Sequence, residues 1–216
     1  MITQKNGVEI FTDNVLDADL SKVSDCFEAG YEKYKNLDYP NVASLSLDQV
    51  KLEDEFFKIY NTIQEKFELK NSELELEKLW LVKSTSETSD PDKLPYIPHI
   101  DYNRFFKVMV YVDEVSQKDG PFHAAPSRPD DFETFRLKLP KNYKDYQGNK
   151  VESIAIEKYK AFFGPAGSVL LFDTNCPHFA GNLIDGGERR VLRFDFQKSD
   201  WTRKKGISGF ISKVFS

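Results

Sequence analysis

The run Phe105-Phe106-Lys107-Val108-Met109-Val110-Tyr111-Val112 is the strongest strand signal in the chain. β-Branched and aromatic residues fill it, and no Gly or Pro interrupts it. Two later runs share its character. Ser168-Val169-Leu170-Leu171-Phe172 is led in by the turn residues Gly164-Pro165-Ala166-Gly167, and Arg190-Val191-Leu192-Arg193-Phe194-Asp195-Phe196 alternates apolar and polar residues with period two. Such alternation is the mark of a half-buried strand. Leu79-Trp80-Leu81-Val82 reads as a further strand, running into a polar loop over 84–93.

Upstream the rhythm is different. Leu20, Val23, Phe27 and Tyr31 recur at spacings of three and four within 19–35, and Val50, Phe56, Phe57, Tyr60, Ile63 and Phe67 do much the same within 47–67. Both stretches predict amphipathic helices, each with one face to lay on something larger. Helices first and short strands afterwards predict a mainly β fold, an antiparallel sandwich or jelly roll (double-stranded β-helix) with N-terminal helices packed on one sheet. The expected organisation is a single domain over 1–216, with a helical part at 1–70 and a jelly-roll core at 79–197. A polar, Lys-rich insertion is expected at 128–151, with a helix near 130–138 and an exposed loop at 141–150. The tail at 198–216 interleaves Arg203, Lys204, Lys205 and Lys213 with Trp201, Ile207, Phe210, Ile211, Val214 and Phe215. It is expected as a terminal helix docked on the barrel, the alternative being a basic amphipathic segment for a membrane surface or a partner.

Composition narrows the function classes. The 216 residues include 40% apolar and 30% charged residues, as in an ordinary globular protein. The 18 Phe and 10 Tyr suit a β-rich core or a deep pocket. A formal charge of −5 and a pI near 5.4 argue against a whole-chain nucleic-acid footprint, so no nucleic-acid partner is expected. Cys26 and Cys176 are the only cysteines, too few for a disulfide framework or a zinc-finger cluster. No apolar run of about 18 residues is present to span a membrane, and the start lacks the pattern of a secretion signal. A cytoplasmic location is the expectation.

The chemistry is concentrated in a few residues. His99 and Asp101 lie two apart in Pro98-His99-Ile100-Asp101, a spacing that puts both side chains on one face of an extended chain. His178 follows the strand 168–172 and the turn Thr174-Asn175-Cys176-Pro177. Two imidazoles and one carboxylate make the facial triad of Fe(II) oxygenases, which leaves three positions of an octahedral ion open. Arg189, eleven residues beyond His178, opens the last strong strand, and a guanidinium there could grip a carboxylate in bidentate fashion. Arg189, Val191, Arg193 and Asp195 share one face of that strand; Arg190, Leu192, Phe194 and Phe196 share the other. If the apolar face receives the N-terminal helices, Arg189 ranks first and Arg193 second as anion binder; if it lines the interior, Arg190 ranks first. Tyr111, on an inner face, is a candidate donor to the same carboxylate. His123 and Tyr102-Asn103-Arg104 are candidates for lining the substrate pocket. Cys176 reads as a small buried filler.

Over about 79–197 these residues resemble the Fe(II)/2-oxoglutarate-dependent oxygenases, and within them the phytanoyl-CoA dioxygenase-like branch. The family's His-x-Asp is matched by His99 and Asp101, its distal histidine by His178, and its 2-oxoglutarate arginine best by Arg189. The segment Asp119-Gly120-Pro121-Phe122-His123-Ala124-Ala125-Pro126-Ser127 and the pair Gly181-Asn182 are also similar to family segments. Arg128 and Phe179 depart from them. The resemblance implies an Fe(II)- and 2-oxoglutarate-dependent dioxygenase that consumes dioxygen, hydroxylates a C–H bond and releases succinate and CO2. With the face reading of the strands, the expected cosubstrate-binding residues are Arg189 and Arg193, with Tyr111, and a small-molecule or peptide substrate is expected. Because Asp101 is present, hydroxylation is expected in preference to halogenation. The alternative reading is a non-catalytic or 2-oxoglutarate-independent metal-binding jelly-roll protein.

Overall fold

The computed structural model describes the chain except residues 1–5, 14, 37–38, 93, 140–150, 152–153, 185 and 202–216. The expected loop at 141–150 and nearly all of the tail therefore lie outside the described residues. Ten strands form two antiparallel sheets. The larger uses β1 (Val8–Phe11), β2 (Lys35–Asn36), β3 (Tyr39–Leu45), β4 (Glu75–Thr85), β5 (Phe106–Tyr111), β8 (Val169–Asp173) and β10 (Glu188–Gln197), in the order β1-β8-β5-β10-β4-β3-β2. The smaller has β6 (Phe122–Ala124) between β7 (Lys160–Phe162) and β9 (His178–Ala180).

The period-two pattern of β10 divides the large sheet into two faces. Leu192, Phe194 and Phe196 join Val108, Val110, Val169, Leu171, Leu79 and Leu81 on the face that receives the helices. Against it lie Val23 and Phe27 of α1 (Leu20–Tyr34) and Phe56, Ile59 and Ile63 of α3 (Asp54–Lys66), all fully buried. The opposite face presents Met109, Tyr111, Leu170, Phe172 and Val191 to Phe122 and Ala124 of the small sheet. Two cores thus sandwich the central strands, and the second separates the two sheets.

Several local expectations need correcting. Residues 1–70 are not purely helical: β1 pairs with β8, and β3 with β4. Val8–Phe11 is too short for its alternation to register beside the longer helical rhythm. The stretch 47–67 is two helices, α2 (Leu47–Val50), started by a Ser46–Gln49 capping box, and α3. Val50 and Phe56, six residues apart, would fall on different faces of one continuous helix. The turn between them lets both reach the core and leaves Leu52 in solvent. Within the insertion, a 3-10 turn at Pro129–Phe132 leads into the helix α4 (Glu133–Lys138). No helix among the described residues is long and apolar enough to cross a membrane.

Candidate metal and cosubstrate site

His99 and Asp101 do not sit on a regular strand. Residues 95–99 run instead along the free edge of β9. His99 N donates to His178 O and His178 N to His99 O, both at 2.9 Å, and Ala180 N donates to Pro95 O at 2.8 Å. A cross-strand pair that exchanges both backbone bonds places its side chains on one face. The two imidazole centroids are accordingly 4.4 Å apart. The extended geometry at 99–101 carries Asp101 to the same spot. One ligand atom from each of His99, Asp101 and His178 lies within 4.8 Å of the others, the one such cluster among the described residues.

Each imidazole has a defined orientation. His99 Nδ1 lies 2.7 Å from Ile97 O and His178 Nδ1 lies 2.8 Å from Cys176 O. A carbonyl only accepts, so Nδ1 carries the proton and Nε2 keeps its lone pair. Both Nε2 atoms face Asp101 Oδ1, at 3.5 and 3.7 Å. Burial pushes the His178 pKa down to about 3, helped by the neighbouring His99. That keeps it neutral, as a ligand must be. Burial alone would raise the Asp101 pKa, but the Lys107 ammonium beside it outweighs that and holds the carboxyl well below its usual range. Neutral nitrogens and an ionised carboxylate, converging from one side, form a donor set for a divalent transition metal.

The loop before His178 is fixed from beneath. Arg104 makes a bidentate pair with the buried Asp173, Nε–Oδ2 3.0 Å and Nη2–Oδ2 2.8 Å among its contacts. Thr174 accepts the Phe105 N–H at 2.8 Å through its hydroxyl and the Asp101 N–H through its carbonyl. Asn175 Nδ2 donates to Glu133 at 2.6 Å, and Arg136 joins Glu133 to the Tyr102 carbonyl. The insertion helix is thereby tied to both halves of the triad. Gly120 and Gly181, from the two family-like segments, meet backbone to backbone. Gly120 has φ +62, and a Cβ on it would collide with the Gly181 carbonyl.

The three arginines separate cleanly. Arg190 points to the helices, donating to Asp113 at 2.7 and 2.6 Å and to Glu28 at 2.8 Å. Arg193 faces the interior side, lies over Trp80 and is engaged by Asp195 at 2.9 and 3.1 Å. Arg189 is 5% exposed, and its Nε and Nη1 have no hydrogen-bond partner among the described residues. Burial lowers its pKa, opposed only by Tyr111, Tyr96 and Asp119. Oδ2 of Asp119 is taken by Ser116 N and Oγ. A guanidinium stays charged in proteins, so this one is a buried cation whose Nε and Nη1 meet no anion among the described residues.

Tyr111 is beside Arg189 but is not the expected free donor: its hydroxyl donates to Phe162 O at 2.6 Å, and burial raises its pKa to about 12. It links the Arg189 end of the large sheet to the small sheet, where the Phe122 ring packs 5.6 Å from His178. The His123 ring stacks on Phe179 at 4.6 Å. Cys176 donates to Ala125 O at 3.0 Å, and burial raises its pKa to about 11, so it is a neutral filler and not a thiolate. Sequence reading assigned nothing to Lys107, whose Nζ is 2.5 Å from Asp101 Oδ2, and it read Arg104 as a pocket-lining candidate where the structure pairs it with Asp173. The one available signal was a lysine inside the most apolar strand.

Solved structures share this architecture. HygX from Streptomyces hygroscopicus, with nickel and 2-oxoglutarate bound, superposes with a TM-score of 0.60 at 13% identity, covering 92% of this chain and 85% of that one. EvdO2 from Micromonospora carbonacea var. aurantiaca, complexed with 2-oxoglutarate, gives 0.58 at 15% identity over 92% and 93%. The non-heme alpha ketoglutarate dependent carbocyclase SnoK from nogalamycin biosynthesis gives 0.60 at 13% over 98% and 87%. This chain has the fold of 2-oxoglutarate-binding proteins. HygX also has structures with iron bound and with hygromycin B bound. No family model matches the sequence, and no curated protein matches it.

Proposed function

We propose that the protein is an Fe(II)- and 2-oxoglutarate-dependent dioxygenase that hydroxylates a C–H bond of a small-molecule or peptide substrate. The observation that carries this reading is Arg189: a buried guanidinium whose Nε and Nη1 have no hydrogen-bond partner among the described residues, in the same inter-sheet interior as a His-Asp-His cluster. Burying a charge without a counter-ion is costly, and a dicarboxylate that reaches from the metal to Arg189 removes that cost. The donor set fits Fe(II), with His99 and His178 presenting Nε2 and Asp101 presenting Oδ1. Bound there with 2-oxoglutarate and dioxygen, the metal supplies an oxidation coupled to decarboxylation, with succinate and CO2 as coproducts.

The chain's own part is to bind, orient and exclude water. The Ile97 and Cys176 carbonyls hold the imidazole tautomers. Arg189 anchors the far carboxylate and so aims the 2-oxo acid end at the metal. Arg193, already engaged by Asp195, is left to the substrate side. Tyr111 shapes the Arg189 pocket through its bond to Phe162 O. Met109, Leu170, Phe172 and Phe122 give the interior apolar walls, which strengthen the electrostatics inside and suppress side reactions. In this reading 1–216 is one catalytic domain on a double-stranded β-helix, and its motifs resemble those of the phytanoyl-CoA dioxygenase-like branch. Hygromycin B in HygX supports a small-molecule substrate.

The test is direct. Fe(II) and 2-oxoglutarate added anaerobically should give a visible charge-transfer band that Arg189→Met weakens and His178→Ala removes. Absence of both the band and calorimetric 2-oxoglutarate binding would favour a non-catalytic metal-binding protein.

A further inference from the structure

β5 is buried at every position, yet it carries a lysine. The Lys107 side chain is 9% exposed, and its ammonium lies 5.9 and 5.7 Å from the Phe105 and Phe172 ring centres. Such a group needs an anion close by. The carboxylate opposite it across the ladder, Asp195, is occupied by Arg193. The Lys107 partner is Asp101, and the contact selects one oxygen. Nζ is 2.5 Å from Oδ2, while Oδ1 faces His99 Nε2 and His178 Nε2. One carboxylate therefore has its two oxygens committed to different tasks.

We propose that Lys107 is a positioning residue that reserves Oδ2 of Asp101, so that the carboxylate gives a metal ion one oxygen and not two. The proposal rests on the metal-site reading above and adds a constraint to it. Two imidazoles and one oxygen fill three of six positions. A chelating cosubstrate takes two more, and one is left for dioxygen. A carboxylate free to bind through both oxygens would take that last position or loosen the chelate. The strand supplies the rigidity this needs: Lys107 is held between β10 and β8, paired with Asp195 and Phe172, so its stem enters from the sheet floor.

Co(II) binding to the full chain, followed by calorimetry and visible absorption, tests the assignment. Lys107→Met keeps the length and apolar stem but removes the charge. It should bind Co(II) about tenfold more tightly, because the carboxylate is no longer shared with an ammonium and a cation beside the metal is gone. Its Co(II) spectrum should change, and 2-oxoglutarate should bind more weakly to the Co(II) form. A merely structural lysine would behave oppositely on the first count, since a loosened pocket binds metal less well. Lys107→Arg retains a cation and should keep the wild-type spectrum, which covers the case in which the Met variant does not fold. Unchanged or weaker Co(II) binding in Lys107→Met, or a tighter Kd in Lys107→Arg, overturns the role of Lys107. Failure of the wild type to bind Co(II), with His178→Ala as the control, removes the metal site itself.

Discussion

Replacing Arg189 with Met should stabilise the ligand-free protein while crippling cosubstrate binding. Arg189 Nε and Nη1 are buried and unpartnered among the described residues. Each such donor costs about 1–3 kcal/mol, so removing both relieves about 2–6 kcal/mol. The methionine fills less space, and lost packing offsets about 1–2 kcal/mol of that gain. The net expectation runs from no change to a gain of about 5 kcal/mol, and for a chain of this size each kcal/mol raises Tm by about 2–4 °C. The ligand effect has the opposite sign. At 100 times its Kd, 2-oxoglutarate should add about 2.7 kcal/mol to the Ni(II)-loaded wild type. Loss of the charge-assisted bonds weakens the ligand by roughly 10–100-fold, so the same concentration should shift the variant by less than about 1.5 kcal/mol. Scanning calorimetry with and without ligand reads both quantities. A less stable ligand-free variant would mean that Arg189 has partners holding it in place. An undiminished ligand shift would mean that the dicarboxylate is anchored elsewhere, and either result refutes the reasoning.

Other outcomes follow from the same geometry. Asp101→Ala should abolish succinate formation while leaving the circular dichroism spectrum native, with a lowered unfolding midpoint because the buried Lys107 ammonium loses its anion; full turnover by this variant would break the triad assignment. Arg190→Met should destabilise the fold by about 1–3 kcal/mol, through loss of its bonds to Asp113 and Glu28, with no change in the Kd for 2-oxoglutarate. Acid should weaken the insertion contact. Arg136, the strongest influence on Glu133, holds its carboxyl below the ordinary value of a glutamate, with Asn175 and Arg104 assisting. A depressed native pKa contributes stability that is full above the unfolded value and is lost as pH falls through the native one. Thermal melts should therefore decline below about pH 4.5, and Glu133→Gln should flatten that decline; an identical slope in both proteins would count against it.

Much of the site was legible because its residues are chemically rare. With three histidines in the chain, a His-x-Asp pair and a later histidine after a strand stand out without any structure. The period of two in β10 also predicted which arginine faces the helices, on the condition that Leu192, Phe194 and Phe196 receive them. They do, and Arg190 goes with them. β1 was not legible because its four residues alternate too briefly to compete with the helical rhythm around them, and β3 was not because Pro40, Asn41 and Ser44 within it read as turn residues. Tyr111 was legible only as a candidate donor to a cosubstrate carboxylate, and the neighbouring strands alone reveal that its hydroxyl donates to Phe162 O.

Periodicity and residue chemistry are local properties, so the sequence alone determined the strand and helix character of the long segments and the kinds of ligand the chain can offer. Which groups meet is a property of register. The reciprocal backbone bonds between His99 and His178 bring two remote imidazoles onto one face. The same packing leaves Nε and Nη1 of Arg189 without a partner among the described residues and sets Lys107 against a single oxygen of Asp101. Those three facts depend on distances between strands that are far apart along the chain, and only tertiary structure decides them.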